Sequence, residues 1–173
     1  MTGSVTSSLV VKVAAATVAA VLGVALLPAP SEAHSLDGFI NQRRHLKSRA
    51  KSQIGAPYRS GGSTPRGFDC SGFTRWVFKN HGSRLPHSSI EQFRLTRRRP
   101  HAKRIWKRRD LRIGDLVFHK TSPARVGHAG LYIGRGKFIS STSSEGVRVD
   151  SVWDRYYWGS RWVGATRLKI TQR

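Results

Sequence analysis

The sequence predicts an α+β domain, with N-terminal helices packed on an antiparallel sheet of about five strands. Three observations carry this. Apolar residues in the first half recur at helical spacing. Those after residue 113 gather in short runs that suit strands. Glycines and prolines fall between these runs, where the chain must turn.

Within residues 36–54, Leu36, Phe39, Ile40, Leu46, Ala50 and Ile54 fall mostly on one helical stripe, with basic residues between them and Gly55 as a stop. The segment 34–54 is thus one amphipathic helix or two short ones. Residues 55–68 read as a loop, punctuated by five glycines and prolines beyond Gly55. Asp69 stands at the N-cap of a second helix with Phe73, Trp76 and Val77 on its face and Gly82 at its end, which puts Cys70 in the first turn. Ser88-Ser89-Ile90-Glu91 fits the capping box and starts a third, short helix. Residues 94–112 hold ten basic residues and one acid, Asp110, and predict solvated loop. Strands follow at 113–119, 128–133, 137–141, 147–150 and 161–168, with Gly134-Arg135-Gly136 as a hairpin turn.

Residues 1–33 read as an export signal. An apolar run at 13–27 follows Lys12, and Ser31 and Ala33 suit cleavage after Ala33. A retained anchor is the other reading, although a membrane span wants about 20 apolar residues. The chain from His34 is enough for one domain, with 169–173 as a tail. Its formal charge is +22, from 31 Lys and Arg against 9 Asp and Glu. Lys12 and Glu32 cancel, so the mature part keeps all of it. Such a field favours anionic surfaces. For an exported protein these are teichoic acids or an anionic lipid surface. Nucleic acid is disfavoured, because no recognition motif is present. The histidines lack metal-ligand spacing, so no metal and no cofactor are expected, and the chain is read as a monomer.

Cys70 is the only cysteine, so an intramolecular disulfide is excluded. It lies in Gly67-Phe68-Asp69-Cys70-Ser71-Gly72, and His128 follows in Gly127-His128-Ala129-Gly130-Leu131-Tyr132-Ile133-Gly134. A lone thiol with a histidine on a downstream strand reads as nucleophile and base. The thiol must ionise to attack. A helix N-terminus supplies up to ~2 kcal/mol, and one pKa unit needs about 1.4 kcal/mol. The helix end is therefore not enough, and an imidazolium at His128 is expected to hold the thiolate near neutrality. A buried structural thiol is the bland alternative.

These two motifs, with Gly55-Ala56-Pro57-Tyr58, Gly61-Gly62, Leu85-Pro86, Gln92 and Gly114-Asp115-Leu116-Val117-Phe118, resemble the NlpC/P60 family of cell-wall peptidases over residues 48–168. The resemblance implies a papain-like fold and hydrolysis of amide bonds in peptidoglycan stem peptides, typically the bond after D-γ-glutamyl. It makes Cys70 the nucleophile and His128 the base. It places Tyr58 near the oxyanion site, and Asp69 and Ser71 on the substrate's N-terminal side. The family's third residue, usually a histidine that orients the base, falls at Ser140, which is short and uncharged. A weak orienter is expected there, with His119 as a distant substitute. Ser60 stands where the family often has an aromatic residue. The alternative is a catalytically impaired, basic wall-binding protein on the same scaffold. Either reading places the protein outside the membrane, secreted or in the wall or periplasm.

Overall fold

A computed structural model describes residues 30–123 and 126–170, without the side chains of residues 30–36 and Phe39. The signal reading at residues 1–29 and the end of the tail at 171–173 lie outside the described residues. No described helix is long and apolar enough to cross a membrane.

Helix α1 (Pro30–Lys51) is one helix, continuous across the expected cleavage point. Its apolar stripe is used only in part. Leu46 and Ala50 are buried, whereas Ile40 is exposed. Ile54, in the turn after the helix, is exposed as well. A two-residue ribbon, β1 (Ser63–Thr64) and β2 (Gly67–Phe68), interrupts the expected loop. Helices α2 (Cys70–Phe78) and α3 (Ser89–Arg98) follow. Both begin where the capping residues predict. Asp69 accepts the Gly72 N–H, and Ser88 accepts the Glu91 N–H.

The main sheet is built from β3 (Lys103–Ile105), β4 (Leu116–His119), β5 (His128–Gly134), β6 (Lys137–Thr142), β7 (Gly146–Ser151) and β8 (Trp162–Arg167). Its order is β3-β8-β4-β5-β6-β7, and every pair is antiparallel. The sixth strand, β3, lies inside the basic run expected to be loop, as does the end of α3. Its three residues pair with β8 at the sheet edge. Lys103 is exposed there, the kind of charge that suits an edge strand.

Strand alternation divides the core into two layers. Leu116, Phe118, Ala129, Leu131 and Ile139 face the helices and meet Leu46, Phe73, Val77 and Phe78. Val117, Tyr132, Phe138 and Ala165 face the other way and are covered by Val152 and Trp158. Both faces of the central strands are therefore buried, which is why β4 carries no exposed position.

Asp115, in the turn before β4, is fully buried. It accepts two bonds from Arg167 (2.9 and 2.7 Å) and one from the Arg112 N–H (2.8 Å). The carboxylate thereby ties the start of β4 to β8, and the Gly-Asp-Leu-Val-Phe motif is structural.

Candidate active site

The first turn of α2 is placed by close backbone packing. A side chain on Gly72 would put its Cβ 2.0 Å from the Gly62 carbonyl oxygen, so only glycine lets the 55–68 loop cross here. The Asp69 N–H donates to that same carbonyl at 3.0 Å. The far side of α2 is held by Gln92 of α3, fully buried. Its Nε2 donates to the Ser71 and Pro86 carbonyls, each at 2.9 Å, and its Oε1 accepts from Thr74 at 2.8 Å.

Cys70, thus fixed, rests against β5. Its sulfur accepts the Ala129 backbone N–H, next in sequence to His128. Cys70, His128 and Tyr58 line one groove of about 740 Å³. The groove continues over Ser141–Ser144 and the Arg148–Ser151 stretch of β7 to Asp154, Tyr157 and Trp158. Asp154 shapes that rim. Its carboxylate accepts the N–H groups of Tyr156, Tyr157 and Trp158, which hold its pKa below the usual carboxylate value.

Trp158 lies over the His128 ring, with centroids 4.8 Å apart. Burial under this cover pushes the His128 pKa down to about 4. Burial also pushes the Cys70 thiol up, and Asp69 adds to it, against the lowering effect of the N–H groups of Ala129, Ser71 and Cys70 itself. Burial thus favours a neutral thiol and a neutral imidazole in this groove, not the preformed ion pair expected from the sequence. Burial outweighs the N–H groups at the helix terminus. Burial raises the Tyr58 pKa too, with Cys70 and Asp69 contributing, so its phenol stays a hydrogen-bond donor at the groove wall.

Asp69 and Ser71 do not line the groove. The Ser71 hydroxyl donates to Asp69 Oδ1 at 2.9 Å, and Asp69 Oδ2 lies 2.9 Å from His87 Nε2. Ser140 departs furthest from expectation. It is fully buried, pairs in register with Arg148 on β7, and its hydroxyl has no partner among the described residues. His128 Nε2 is likewise buried without a partner. The serine therefore makes no hydrogen bond to the ring it was expected to orient. It closes instead over Gly130, where a Cβ would lie 3.1 Å from the Ser140 Cβ and 2.6 Å from Phe138 Cδ2.

Trp158, Gln92 and His87 acquire their places here through contacts distant in sequence. Only Gln92 carries a local signal, as the fourth helical position after the Ser88 cap. In the Trp153–Trp158 segment, Tyr157 and Trp158 edge the groove.

Comparison with known proteins agrees with this fold. The NlpC/P60 family profile matches residues 55–167. The chain belongs to the NlpC/P60 family. Among its relatives is murein DD-endopeptidase MepH of Escherichia coli K12, 38% identical over 125 residues, which are 70% of this chain and 44% of MepH. A second from that strain, murein DD-endopeptidase MepS/murein LD-carboxypeptidase, is 39% identical over 142 residues, 78% of this chain and 70% of the other. The chain thus spans less than half the length of MepH. The NlpC/P60 domain of peptidoglycan hydrolase SagA superposes with a TM-score of 0.60 at 29% identity, covering 73% of this chain and 98% of that one.

Proposed function

We propose that this NlpC/P60 protein is an exported cysteine endopeptidase that hydrolyses amide bonds in peptidoglycan stem peptides. The observation that carries the proposal is the seating of the Cys70 sulfur on the Ala129 N–H, with His128 lining the same groove. The names of MepH, MepS and SagA support the substrate class.

The chemistry follows from the site. With Nε2 buried, Nδ1 of His128 is the nitrogen left to take the Cys70 proton as sulfur attacks the substrate carbonyl carbon. Negative charge then develops on the carbonyl oxygen, for which the Cys70 N–H at the start of α2 and the Tyr58 hydroxyl of the groove wall are the proposed donors. The tetrahedral species collapses as the C–N bond breaks, and the imidazolium gives its proton to the leaving amine. Water, deprotonated by His128, then opens the thioester and restores the thiol. No metal or cofactor enters these steps. Asp69 and Ser71, cross-bonded at the start of α2 and outside the groove lining, serve the substrate's N-terminal side only through the backbone turn they hold.

The family resemblance puts the cut after D-γ-glutamyl, and this is the bond proposed. The names of MepH and MepS favour a second reading, cleavage of a D,D bond. Incubating the protein with purified muropeptides tests both. Fragments with new amine termini are expected, their masses naming the bond, and Cys70→Ala should remove them. Identical digests from wild type and Cys70→Ala would overturn the hydrolase reading in favour of a basic wall-binding protein.

A further inference from the structure

The face of the sheet behind His128 holds a polar cluster that the mechanism does not use. His119, at the end of β4, is fully buried, and neither of its ring nitrogens has a partner among the described residues. His119 and His128 are register partners across β4 and β5. Their side chains share the face that carries Phe138 and Trp158, and their ring centroids are 6.3 Å apart. Four unpartnered atoms therefore gather in one buried region: both nitrogens of His119, Nε2 of His128 and Oγ of Ser140. Each such atom costs about 1–3 kcal/mol when desolvated, which is a large expense for an unused position.

The placement of His119 is specific. The pairing register of β4 with β8 shifts between Phe118 and His119. Such irregularities re-aim a side chain and are common beside active sites. The ring stacks on Phe138 (5.0 Å, 29°) and meets the edges of Trp158 and Trp162 at 5.0 and 5.8 Å. Three aromatic neighbours thus fix its plane next to the base.

We propose that His119 is the positioning residue for His128, taking from β4 the partner role that Ser140 on β6 is too short to fill. The inference rests on the hydrolase reading above. A direct N–H···N bond between two imidazoles puts their centroids roughly 5 Å apart, so a ring shift of about 1 Å closes the gap. Such bonds commonly tighten when substrate binds. His119 suits the role because it stays uncharged. Burial, with the titratable His128 ring and the charged Arg108 facing it, holds its pKa at about 3. Its other neighbours, Phe138, Trp158 and Trp162, carry no charge. A neutral ring keeps a lone pair for the N–H of His128 at the moment His128 becomes an imidazolium. That contact would fix the ring plane and steady the charge.

The experiment compares wild type, His119→Phe, His119→Gln and Ser140→Ala on a purified muropeptide. His119→Phe keeps an aromatic ring in the aromatic cage but has no nitrogen. It should lower kcat at least tenfold with KM within about threefold, and move the acidic limb of the pH profile to lower pH. His119→Gln, which restores a donor and an acceptor, should recover a substantial part of kcat. Ser140→Ala should cost less than His119→Phe. Equal kcat and pH profile in wild type and His119→Phe, or a larger loss in Ser140→Ala, would overturn the assignment. Ring NMR titration of His128 in wild type and the two His119 variants needs no substrate. The midpoint should fall in His119→Phe and return toward wild type in His119→Gln, and identical midpoints would refute the contact. Inactivity of the wild type itself would defeat the hydrolase reading, and the NMR comparison would still decide the contact.

Discussion

At the scale of single residues, His119 and His128 both fold into the uncharged state, and this links stability to pH. Each has an ordinary pKa of 6.5 when unfolded, against about 3 and about 4 in the folded protein. Between those values the unfolded chain binds more protons, so acid favours unfolding. The contribution of these rings is complete above about pH 6.5 and is lost progressively as pH falls through 4 toward 3. The slope is at most ~1.4 kcal/mol per pH unit for each proton. Urea unfolding should therefore show a loss of stability between pH 7 and pH 5 that is shallower in His119→Phe by up to one proton's worth. The Phe variant should also be no less stable than wild type at neutral pH, because two buried unpartnered nitrogens disappear. Parallel pH slopes in the two proteins would contradict the burial of a neutral His119. At this scale the shared place of Cys70 and His128 in one groove is legible in the sequence because a lone thiol has few uses. Their protonation is not, because the cover that desolvates them comes from Trp158, thirty residues beyond His128.

At the scale of elements, the site depends on where α2 starts and what holds it. Its start is encoded locally, since Asp69 and Gly72 act on the turn they belong to, and so the cap could be read from sequence. Its lateral position is not local. Gln92 bridges α3 to α2 through two hydrogen bonds, to Ser71 and Thr74, and adds a third to the Pro86 carbonyl, all in a fully buried setting. Gln92→Leu keeps approximate size and leaves the Ser71 and Pro86 carbonyls without that donor. It should cost about 2–4 kcal/mol in urea unfolding, on the scale of buried groups left unpaired. kcat should fall with it, because Ser71 neighbours Cys70, the proposed nucleophile. Unchanged stability would mean that α2 is held by its apolar face alone. Strand β3 escaped the sequence reading for the same non-local reason. Lys103, Arg104 and Ile105 have no strand pattern of their own and become a strand by pairing with Arg167, Thr166 and Ala165. The helical stripe of α1 was over-read in the opposite sense. A spacing shows which residues share a face, but only tertiary contact decides how far along the helix that face is used. Here it is used at Leu46 and Ala50.

At the scale of the whole molecule, the +22 charge is the property the groove does not explain. The described acids are drawn largely into internal pairs, such as Glu91 with Arg94 and Arg98, Asp115 with Arg167, and Asp150 with Arg148. Arg97, Lys103, Lys107 and Arg109 are exposed along α3, the β3 edge and the turn beyond it. A polyanion lying on this band would release counterions on binding. For a dense polyanion each ionic contact contributes on the order of 0.7–0.9 to the slope of log affinity against log salt. Replacing those four residues with glutamine should therefore flatten the slope for a polyglycerol phosphate chain by about three. Exposed charges contribute little to folding, so the melting temperature should hardly move. Cleavage of intact, polymer-bearing wall should fall and become less salt-sensitive, with cleavage of a small soluble muropeptide as the internal reference. Two results would refute a surface that gathers the enzyme onto its substrate: an unaltered slope, or equal losses on wall and muropeptide. The first would spread the charge evenly over the molecule, and the second would place these residues in the path of the stem peptide itself.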